Sequence, residues 1–154
     1  MSIQITALLP EHWEAVLRIY AEGLATRNAT FETIVPSWET WDASKRLDCR
    51  LVAIDNDSVV GWAAISSTSK RDVYRGVVEH SIYIAGDSRG KGVGKKLLMT
   101  LIDATEAAGI WTIQTSIFPE NIASVALHKK CGFREIGYRE RVAKLDDAWR
   151  NTLL

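Results

Sequence analysis

The sequence is poor in the features that mark several common classes of protein. Only two of its 154 residues are cysteine, Cys49 and Cys131, and they form neither a disulfide framework nor a metal-ligand spacing. Nineteen basic and nineteen acidic side chains cancel, so the chain lacks the excess positive charge that attracts nucleic acid or anionic membranes. No apolar run approaches the roughly 20 residues of a membrane-spanning helix, and the N-terminal stretch lacks the positive region of a signal peptide. We therefore expect a cytoplasmic protein that binds no metal, nucleic acid or membrane.

Repeats, low-complexity segments and linkers are absent as well, which predicts a single domain over residues 1–154. Apolar patterning alternates between strand and helix periods along the chain. The predicted strands are Ile3–Leu9, Arg50–Ile54, Val59–Ser67, Val77–Ile84, Ile110–Phe118, Phe133–Tyr138 and Trp149–Leu154. Helices are predicted after Pro10, from the cap residue Ser37, from the glycine-rich turn to about Gly109, and over Asn121–Lys130. Together they indicate a mixed α/β or α+β fold with a central sheet covered by helices.

The segment Ser88–Leu98, with the sequence SRGKGVGKKLL, is the most distinctive in the chain. It places glycines and basic side chains between a predicted strand and the N-terminus of a helix, where free N–H groups and the helix dipole favour phosphate. Three residues rather than four separate Gly90 from Gly94, so the pattern is not a Walker loop, which disfavours a nucleoside triphosphatase. Glycine at every second position does not match the dinucleotide fingerprint either. The segment predicts either a phosphate-binding turn or a solvated surface turn.

The order of Arg89, Gly92 and Gly94 resembles R-x-x-G-x-G, the pyrophosphate-binding signature of the GNAT superfamily of acyl-coenzyme A-dependent N-acetyltransferases. The later segment Pro119–Phe133 is similar to a second element of that superfamily. The resemblance covers almost the whole chain and implies the GNAT fold, with a central mixed, mostly antiparallel sheet of about seven strands flanked by about four helices. It also implies acetyl-coenzyme A (acetyl-CoA) as the cofactor.

Within the superfamily, three segments resemble the phosphinothricin acetyltransferase-like branch: Ala29–Thr33, Tyr74–Ile84 and Ala143–Asn151. That branch acetylates small amino acids and their phosphinate, sulfone, sulfoximine or arsenical analogues. The resemblance therefore implies transfer of an acetyl group to the amine of such a substrate, by direct attack through a tetrahedral intermediate. It also implies a homodimer with Trp149 near its interface. The alternatives are acetylation of a peptide, a protein or a polyamine, and an acyl-CoA-binding module without catalysis.

The same resemblance implies a set of cofactor-binding residues in three parts of the chain. Residues of the glycine-rich turn surround the pyrophosphate, a strand offers backbone groups to the pantetheine arm, and the late helix adds further contacts. They are Arg89, Gly90, Lys91, Gly92, Val93, Gly94 and Lys95 in the turn, Ile82, Tyr83 and Ile84 in the strand, and Asn121, Ser124 and Lys130 in the helix. Asn121 is also a good helix N-cap, which would explain it without a ligand.

The strand Val77–Ile84 carries the candidate base. Its residues alternate in direction, so Glu79 and Ser81 face one side and His80 faces the other. A carboxylate is rarely buried in a strand without a partner or a purpose, and an amine is mostly protonated at neutral pH. In the branch that the chain resembles, a glutamate at this place lies beside the substrate amine, so the resemblance implies that Glu79 binds the amine and removes its proton, directly or through water. An ion pair to Arg75 is the alternative. His80 lies on the apolar face, which favours a core histidine over a catalytic one.

The remaining predicted site residues depend on the resemblance. His128 stands where many members of the superfamily carry a tyrosine and is the candidate general acid, although a thiolate whose conjugate acid has a pKa of about 8.5 can also leave with water as its proton source. A substrate carboxylate or phosphinate would pair with an arginine fork, and an aromatic ring would form an apolar wall. The predicted substrate-binding residues are Phe31, Arg75, Glu79, His80 and Ser81.

Overall fold

The computed structural model describes residues 3–154, which contain four α-helices and seven β-strands. The first two residues of the predicted domain lie outside the described residues. The helices are α1 (Trp13–Ala25), α2 (Trp38–Ser44), α3 (Val93–Ala107) and α4 (Ile122–Lys130). The strands are β1 (Gln4–Ala7), β2 (Leu51–Asp55), β3 (Ser58–Ser67), β4 (Val77–Ile84), β5 (Thr112–Gln114), β6 (Tyr138–Leu145) and β7 (Ala148–Leu153). The predicted mixed α/β class is confirmed.

Five of the strands form the main sheet in the order β1-β2-β3-β4-β5. Neighbours pair antiparallel except β4 and β5, which are parallel. Strands β6 and β7 form a separate two-stranded sheet, joined to the main body by reciprocal backbone hydrogen bonds of 2.9 and 2.8 Å between Ile117 and Leu153. The number of strands is therefore the expected seven, but they are divided between two sheets.

Two predicted strands differ from the observed ones. Within the predicted strand Ile110–Phe118, only Thr112–Gln114 forms strand β5. The predicted strand Phe133–Tyr138 is wrong except at Tyr138, which is the first residue of β6. Backbone hydrogen bonds tie Ile136 and Gly137 to Leu154 alone, at 2.7 and 2.9 Å, so this segment meets the end of β7 without running along it.

Strands β4 and β5 are paired over only part of β4. Their parallel ladder ends at the pair Glu79 and Gln114, whereas the ladder between β3 and β4 continues to Ile84. Beyond Glu79, the β5 side of β4 thus has no strand partner within residues 3–154. Its backbone N–H and C=O groups remain available to another extended segment.

Helices cover the main sheet on both faces. On one face α3 places Leu97, Leu98 and Leu101 against β-strand residues that include Val78. On the other face α1 and α2 pack against Trp62 and its neighbours. Consecutive residues of β4 therefore point into different layers: Val78 and Ile82 lie with α3, and Tyr83 lies with α1.

The predicted signals at helix ends are also observed. The Ser37 hydroxyl accepts a hydrogen bond of 3.2 Å from the Thr40 backbone N–H and caps α2. Helix α3 ends shortly before Gly109, whose φ of 83° is the left-handed conformation that glycine adopts most easily. Within residues 3–154, no helix combines the length and the apolar character that crossing a bilayer requires.

An aromatic cluster fixes the position of Tyr83 between α1 and the sheet. Its ring stacks on Trp62 with centroids 5.0 Å apart and lies 4.9 Å from the ring of Tyr20. Gly23 of α1 leaves the space that the Tyr83 ring occupies, because a Cβ atom at position 23 would lie 2.5 Å from Tyr83 Cε2. The cluster connects the buried core to one of the residues predicted to bind the cofactor.

We predict that Gly23→Ala destabilises the protein by about 1 to 3 kcal/mol, because the added methyl group overpacks the aromatic cluster. At an unobstructed helix position the same change would stabilise by about 1 kcal/mol. Urea unfolding of both proteins measures the difference. Gly137→Ala is the control, since a Cβ atom there meets nothing within 4 Å. A Gly23→Ala variant as stable as the wild type would contradict the packing described for Tyr83.

Candidate active site

A cavity of about 190 Å³ lies where β4 loses its β5 partner. Its walls come from the loop after α1, from β4, from the chain after β5, from α4 and from β7. The predicted site residues that line it are Phe31, Glu79, His80, Ser81, Ile82, Tyr83, Asn121, Ser124 and His128. The structure therefore brings together residues from three distant parts of the sequence.

Glu79 carries an exposed carboxylate at this cavity, where a half-buried one was expected. The expected alternative, an ion pair with Arg75, is not formed. Arg75 pairs with Asp72 at 3.3 Å, and its guanidinium lies over the ring of Trp111, 5.4 Å from the centroid. Within residues 3–154, no Lys, Arg or His nitrogen lies within 4 Å of the Glu79 carboxylate. Its oxygens are free to accept hydrogen bonds from a ligand.

His80 and His128 form a buried pair behind the cavity, with their Nε2 atoms 2.9 Å apart. The Nδ1 atom of His128 donates to the Ser124 carbonyl at 2.7 Å, because a carbonyl oxygen can only accept. In a neutral His128 the Nε2 atom must then accept, so His80 Nε2 is the donor. The His80 Nδ1 atom is left as a buried acceptor without a hydrogen-bond partner in residues 3–154.

Burial keeps both imidazoles neutral. It lowers the pKa of His80 to about 3, and the neighbouring His128 ring contributes to the same shift. Burial also lowers the pKa of His128, against the opposing effect of the Ser124 carbonyl. His80 is thus the core histidine that its apolar strand face indicates, although one edge of it reaches the cavity.

The loop after α1 closes the cavity on the side away from the sheet. Phe31 packs edge-to-face on Phe118 with ring centroids 4.8 Å apart. Arg150 donates to the Asn28 side-chain oxygen at 2.8 Å, and the Asn121 amide donates to the Asn28 carbonyl at 3.1 Å. Arg150 could not be recognised as a site residue from the sequence, because only the fold brings β7 next to this loop.

Asn121 has two structural roles that require no ligand. Its side-chain oxygen accepts from the Ser124 backbone N–H at 3.3 Å, which confirms the N-cap at the start of α4. Its amide group holds Asn28, as described above. Contact between Asn121 and the cofactor stays a prediction.

The glycine-rich turn follows β4 and opens α3. Gly90 and Gly92 have φ values of 80° and 81°, and a Cβ atom on either would meet nothing within 4 Å. The backbone is therefore open to a close approach by a ligand. Arg89, Lys91 and Lys95 are exposed beside it. Free N–H groups at the start of a helix, together with these cations, favour a ligand that carries phosphate groups.

The outer residues of the predicted cofactor set have different surroundings. Gly94 permits close packing of α3 on α4, since a Cβ atom there would lie 3.1 Å from Leu127 Cδ2. Val93 is buried in the core and can offer only its backbone. Lys130 is exposed at the end of α4, and Ile84, like Lys130, lies outside the lining of the cavity.

A larger cavity of about 660 Å³ lies on the other side of His128, between α3, α4 and the C-terminus. It shares Thr115, Ile117 and His128 with the smaller cavity. It contains neither Glu79 nor the unpaired edge of β4, so the smaller cavity is the candidate active site. No group of three His, Cys, Asp or Glu side chains in residues 3–154 could hold a metal ion.

The chain is similar to known proteins in both sequence and structure. Residues 13–133 match the model of the acetyltransferase (GNAT) family. The chain is similar to the phosphinothricin N-acetyltransferase of Alcaligenes faecalis, with 34% identity over 151 residues that cover 91% of this chain and 74% of the relative. It is also similar to the L-methionine sulfoximine/L-methionine sulfone acetyltransferase of Pseudomonas aeruginosa, with 30% identity, 87% of this chain and 81% of the relative. A solved GNAT superfamily phosphinothricin acetyltransferase from Sinorhizobium meliloti, in complex with AcCoA, has a TM-score of 0.89 at 28% identity, over 99% of this chain and 86% of that chain.

We predict that the stability of the protein depends on His80 below a pH of about 6.5. The unfolded chain binds a proton at His80 below this pH, whereas the folded chain does not until the pH is about 3. The contribution of His80 to folding is therefore intact above pH 6.5 and is lost as the pH falls, with a slope of up to about 1.4 kcal/mol per pH unit. Urea unfolding between about pH 7.5 and pH 4 should show a steeper decline for the wild type than for His80→Phe. Parallel declines would contradict the buried neutral pair.

Proposed function

Because the chain belongs to the acetyltransferase (GNAT) family, whose members depend on acetyl-CoA, we propose that it acetylates the amine of a small amino-acid-like substrate such as phosphinothricin, methionine sulfone or methionine sulfoximine. The observation that carries the proposal is the free carboxylate of Glu79 at the cavity, next to the edge of β4 that lacks a partner.

The size and closure of the cavity support a small substrate. About 190 Å³ is less than the volume of a typical drug-sized site. Phe31 and Phe118 pack together at its wall, and Arg150 ties down the loop that carries Phe31. A peptide or protein substrate would require an open groove at this position.

Glu79 is the proposed base. A substrate amine is mostly protonated at neutral pH and cannot attack until it loses a proton. In this proposal the substrate ammonium group donates a hydrogen bond to Glu79, and the carboxylate takes one of its protons, which frees the nitrogen lone pair. Bound acetyl-CoA would supply the acetyl group: the N–C bond would form, the C–S bond would break, and coenzyme A would leave as its thiolate. The nitrogen would then lose a second proton, the thiolate would take one up through water, and Glu79 would return its proton to solvent.

The backbone of β4 and the glycine-rich turn are the proposed cofactor site. When bound, acetyl-CoA supplies an acetyl group activated as a thioester. The free N–H and C=O groups of Ile82–Ile84 would hold the pantetheine arm as an added strand, and one N–H would bind the oxyanion that develops on the carbonyl. Residues Arg89–Lys95 would hold the pyrophosphate. Asn121, Ser124 and Lys130 of the α4 region complete the proposed contacts.

His128 is the second proposed catalytic residue, with a limited role. Both of its ring nitrogens already make hydrogen bonds, to His80 and to the Ser124 carbonyl. It would have to leave one of these partners before it could donate a proton to the thiolate. A thiolate whose conjugate acid has a pKa of about 8.5 can take a proton from water, so we propose that His128 contributes less than Glu79.

We also propose that the enzyme works in the cytoplasm as a homodimer. Cys49 and Cys131 are both free thiols, as is usual in a reducing compartment. Tyr138 and Trp149 expose more than half of their surface on the β6–β7 sheet, which supports an interface at this hairpin.

We predict that Glu79→Gln lowers kcat by about 100-fold or more, because the amide cannot accept the amine proton. The assay is thiol release from acetyl-CoA with phosphinothricin, methionine sulfone, methionine sulfoximine, common L-amino acids, a polyamine and a peptide. Glu140→Gln, a change at an exposed carboxylate of β6, should leave turnover unchanged.

Three results of this assay would contradict the proposal. Turnover only on the peptide or the polyamine would assign the protein another substrate class. Full activity of Glu79→Gln would exclude Glu79 as the base. Tight binding of acetyl-CoA without turnover of any amine would favour the non-catalytic acyl-CoA-binding module.

We predict that Gly92→Ala weakens acetyl-CoA binding by about tenfold or more. A Cβ atom at φ 81° strains the turn by about 1 to 2 kcal/mol and obstructs the approach of the pyrophosphate to the backbone. Gly109→Ala is a matched control, because Gly109 has a φ of 83° and equally open surroundings at the other end of α3. Calorimetric titration with acetyl-CoA measures both variants. Equal affinities for the two would place the pyrophosphate elsewhere.

A further inference from the structure

Lys45 places an ammonium group over the face of β4 that carries Glu79. The residue directly follows α2 and is half-buried. Its Nζ atom donates to the hydroxyl of Ser81 at 3.2 Å and reaches the hydroxyl of Ser66 at 3.5 Å. Ser66 lies opposite Glu79 in the β3–β4 ladder, and Ser81 is the next residue of β4 on the same face. Lys45 itself does not line the candidate active site, but its Nζ atom donates to Ser81, which does, and to Ser66, which lies opposite the lining residue Glu79.

The charge of Lys45 has no direct counter-ion in the described chain. No carboxylate oxygen of residues 3–154 lies within 4 Å of its Nζ atom. Burial lowers the pKa of Lys45, and the more distant charges of Glu79 and Glu32 oppose this shift. Two of the three ammonium donors face neutral hydroxyls, so the group can still donate to an anion. A half-buried cation is stabilised most by a ligand that carries a negative charge.

We propose that Lys45 binds the carboxylate of an α-amino acid whose amine lies against Glu79. This inference depends on the proposed function and specifies its substrate class. Nζ is held at Ser81, whose position on the strand face is about 7 Å from that of Glu79. The amine and the carboxylate of one α-carbon, with a hydrogen bond of about 3 Å at each end, span a comparable distance. Glu79 and Lys45 thus form a pair of opposite charges that matches the zwitterion end of an amino acid.

Lys45 takes the role predicted for Arg75. The Arg75 side chain is held by Asp72 and Trp111, neither of which lines the candidate active site, whereas Lys45 donates to the lining residue Ser81. With Lys45 as the anion partner, the zwitterion end of the substrate lies over β4, and its side chain points toward Phe31 and Phe118. The arrangement discriminates against amines that lack a free α-carboxylate, including polyamines, amino acid amides and peptide N-termini.

The test compares an amino acid with its α-amide in the thiol-release assay. Lys45→Met should raise KM for the amino acid at least about tenfold and leave kcat within about twofold, because a charged hydrogen bond to the substrate is lost. KM for the α-amide should not change. Lys45→Arg should restore most of the affinity for the amino acid. Lys70→Met, a change at an exposed lysine in the loop before β4, is the matched control and should behave as the wild type.

Other outcomes overturn the inference. If Lys45→Met loses kcat/KM equally on the amino acid and on its α-amide, then Lys45 stabilises the fold or positions Glu79 and does not bind the carboxylate. A fall in kcat with unchanged KM would exclude carboxylate binding. If the wild type acetylates the α-amide as well as the amino acid, then no cation of the protein binds the substrate carboxylate. The proposed acetyl transfer would still be supported by that result. A wild type without turnover of either compound would refute both the proposed function and the role of Lys45.

Discussion

The candidate active site exists because the pairing between β4 and β5 stops partway along β4. The parallel ladder stops at Glu79 and Gln114, while β3 supports β4 for five further residues, to Ile84. The result is a half-buried strand with one edge that lacks a strand partner within residues 3–154. The backbone N–H and C=O groups of this edge can pair with an extended ligand. Glu79 lies at the point where the edge begins.

The two faces of β4 then perform different tasks. The face with Glu79, Ser81 and Tyr83 meets α1, α2 and the cavity, where a polar ligand can be held. The opposite face, with Val78 and Ile82, packs on α3 and belongs to the core. His80 is the polar exception on that face. Its hydrogen bond to His128 joins β4 to α4 and helps to fix the rear wall of the cavity.

Local features of the site could be predicted from the sequence, because they depend on neighbours along the chain. The period of two in β4 separates Glu79 from His80, and the glycines with positive φ form a turn that opens α3. The N-caps at Ser37 and Asn121 follow from short-range chemistry as well. The comparisons confirm the family and the cofactor that these motifs indicate.

Residues that act across the fold could not be predicted in this way. Lys45 and Ser81 are distant in sequence, and only the packing of α2 on the sheet brings them within 3.2 Å. Arg150 meets Asn28 for a similar reason. Arg75 was predicted from the ability of its guanidinium to pair with a carboxylate or phosphinate, and the contacts with Asp72 and Trp111 that hold its side chain away from the cavity are seen only in the fold. The β6–β7 sheet is itself a local hairpin around Asp146 and Asp147, but its attachment to the main body through Ile117 and Leu153 depends on long-range pairing.

A crystal structure of the protein with coenzyme A and an amino acid tests the central claim most directly. We expect the pantetheine arm to be hydrogen-bonded along Ile82–Ile84 and the substrate amine to lie within about 3 Å of the Glu79 carboxylate, or one water molecule away. A coenzyme that binds elsewhere, or an amine that approaches from a side without Glu79, would contradict the account.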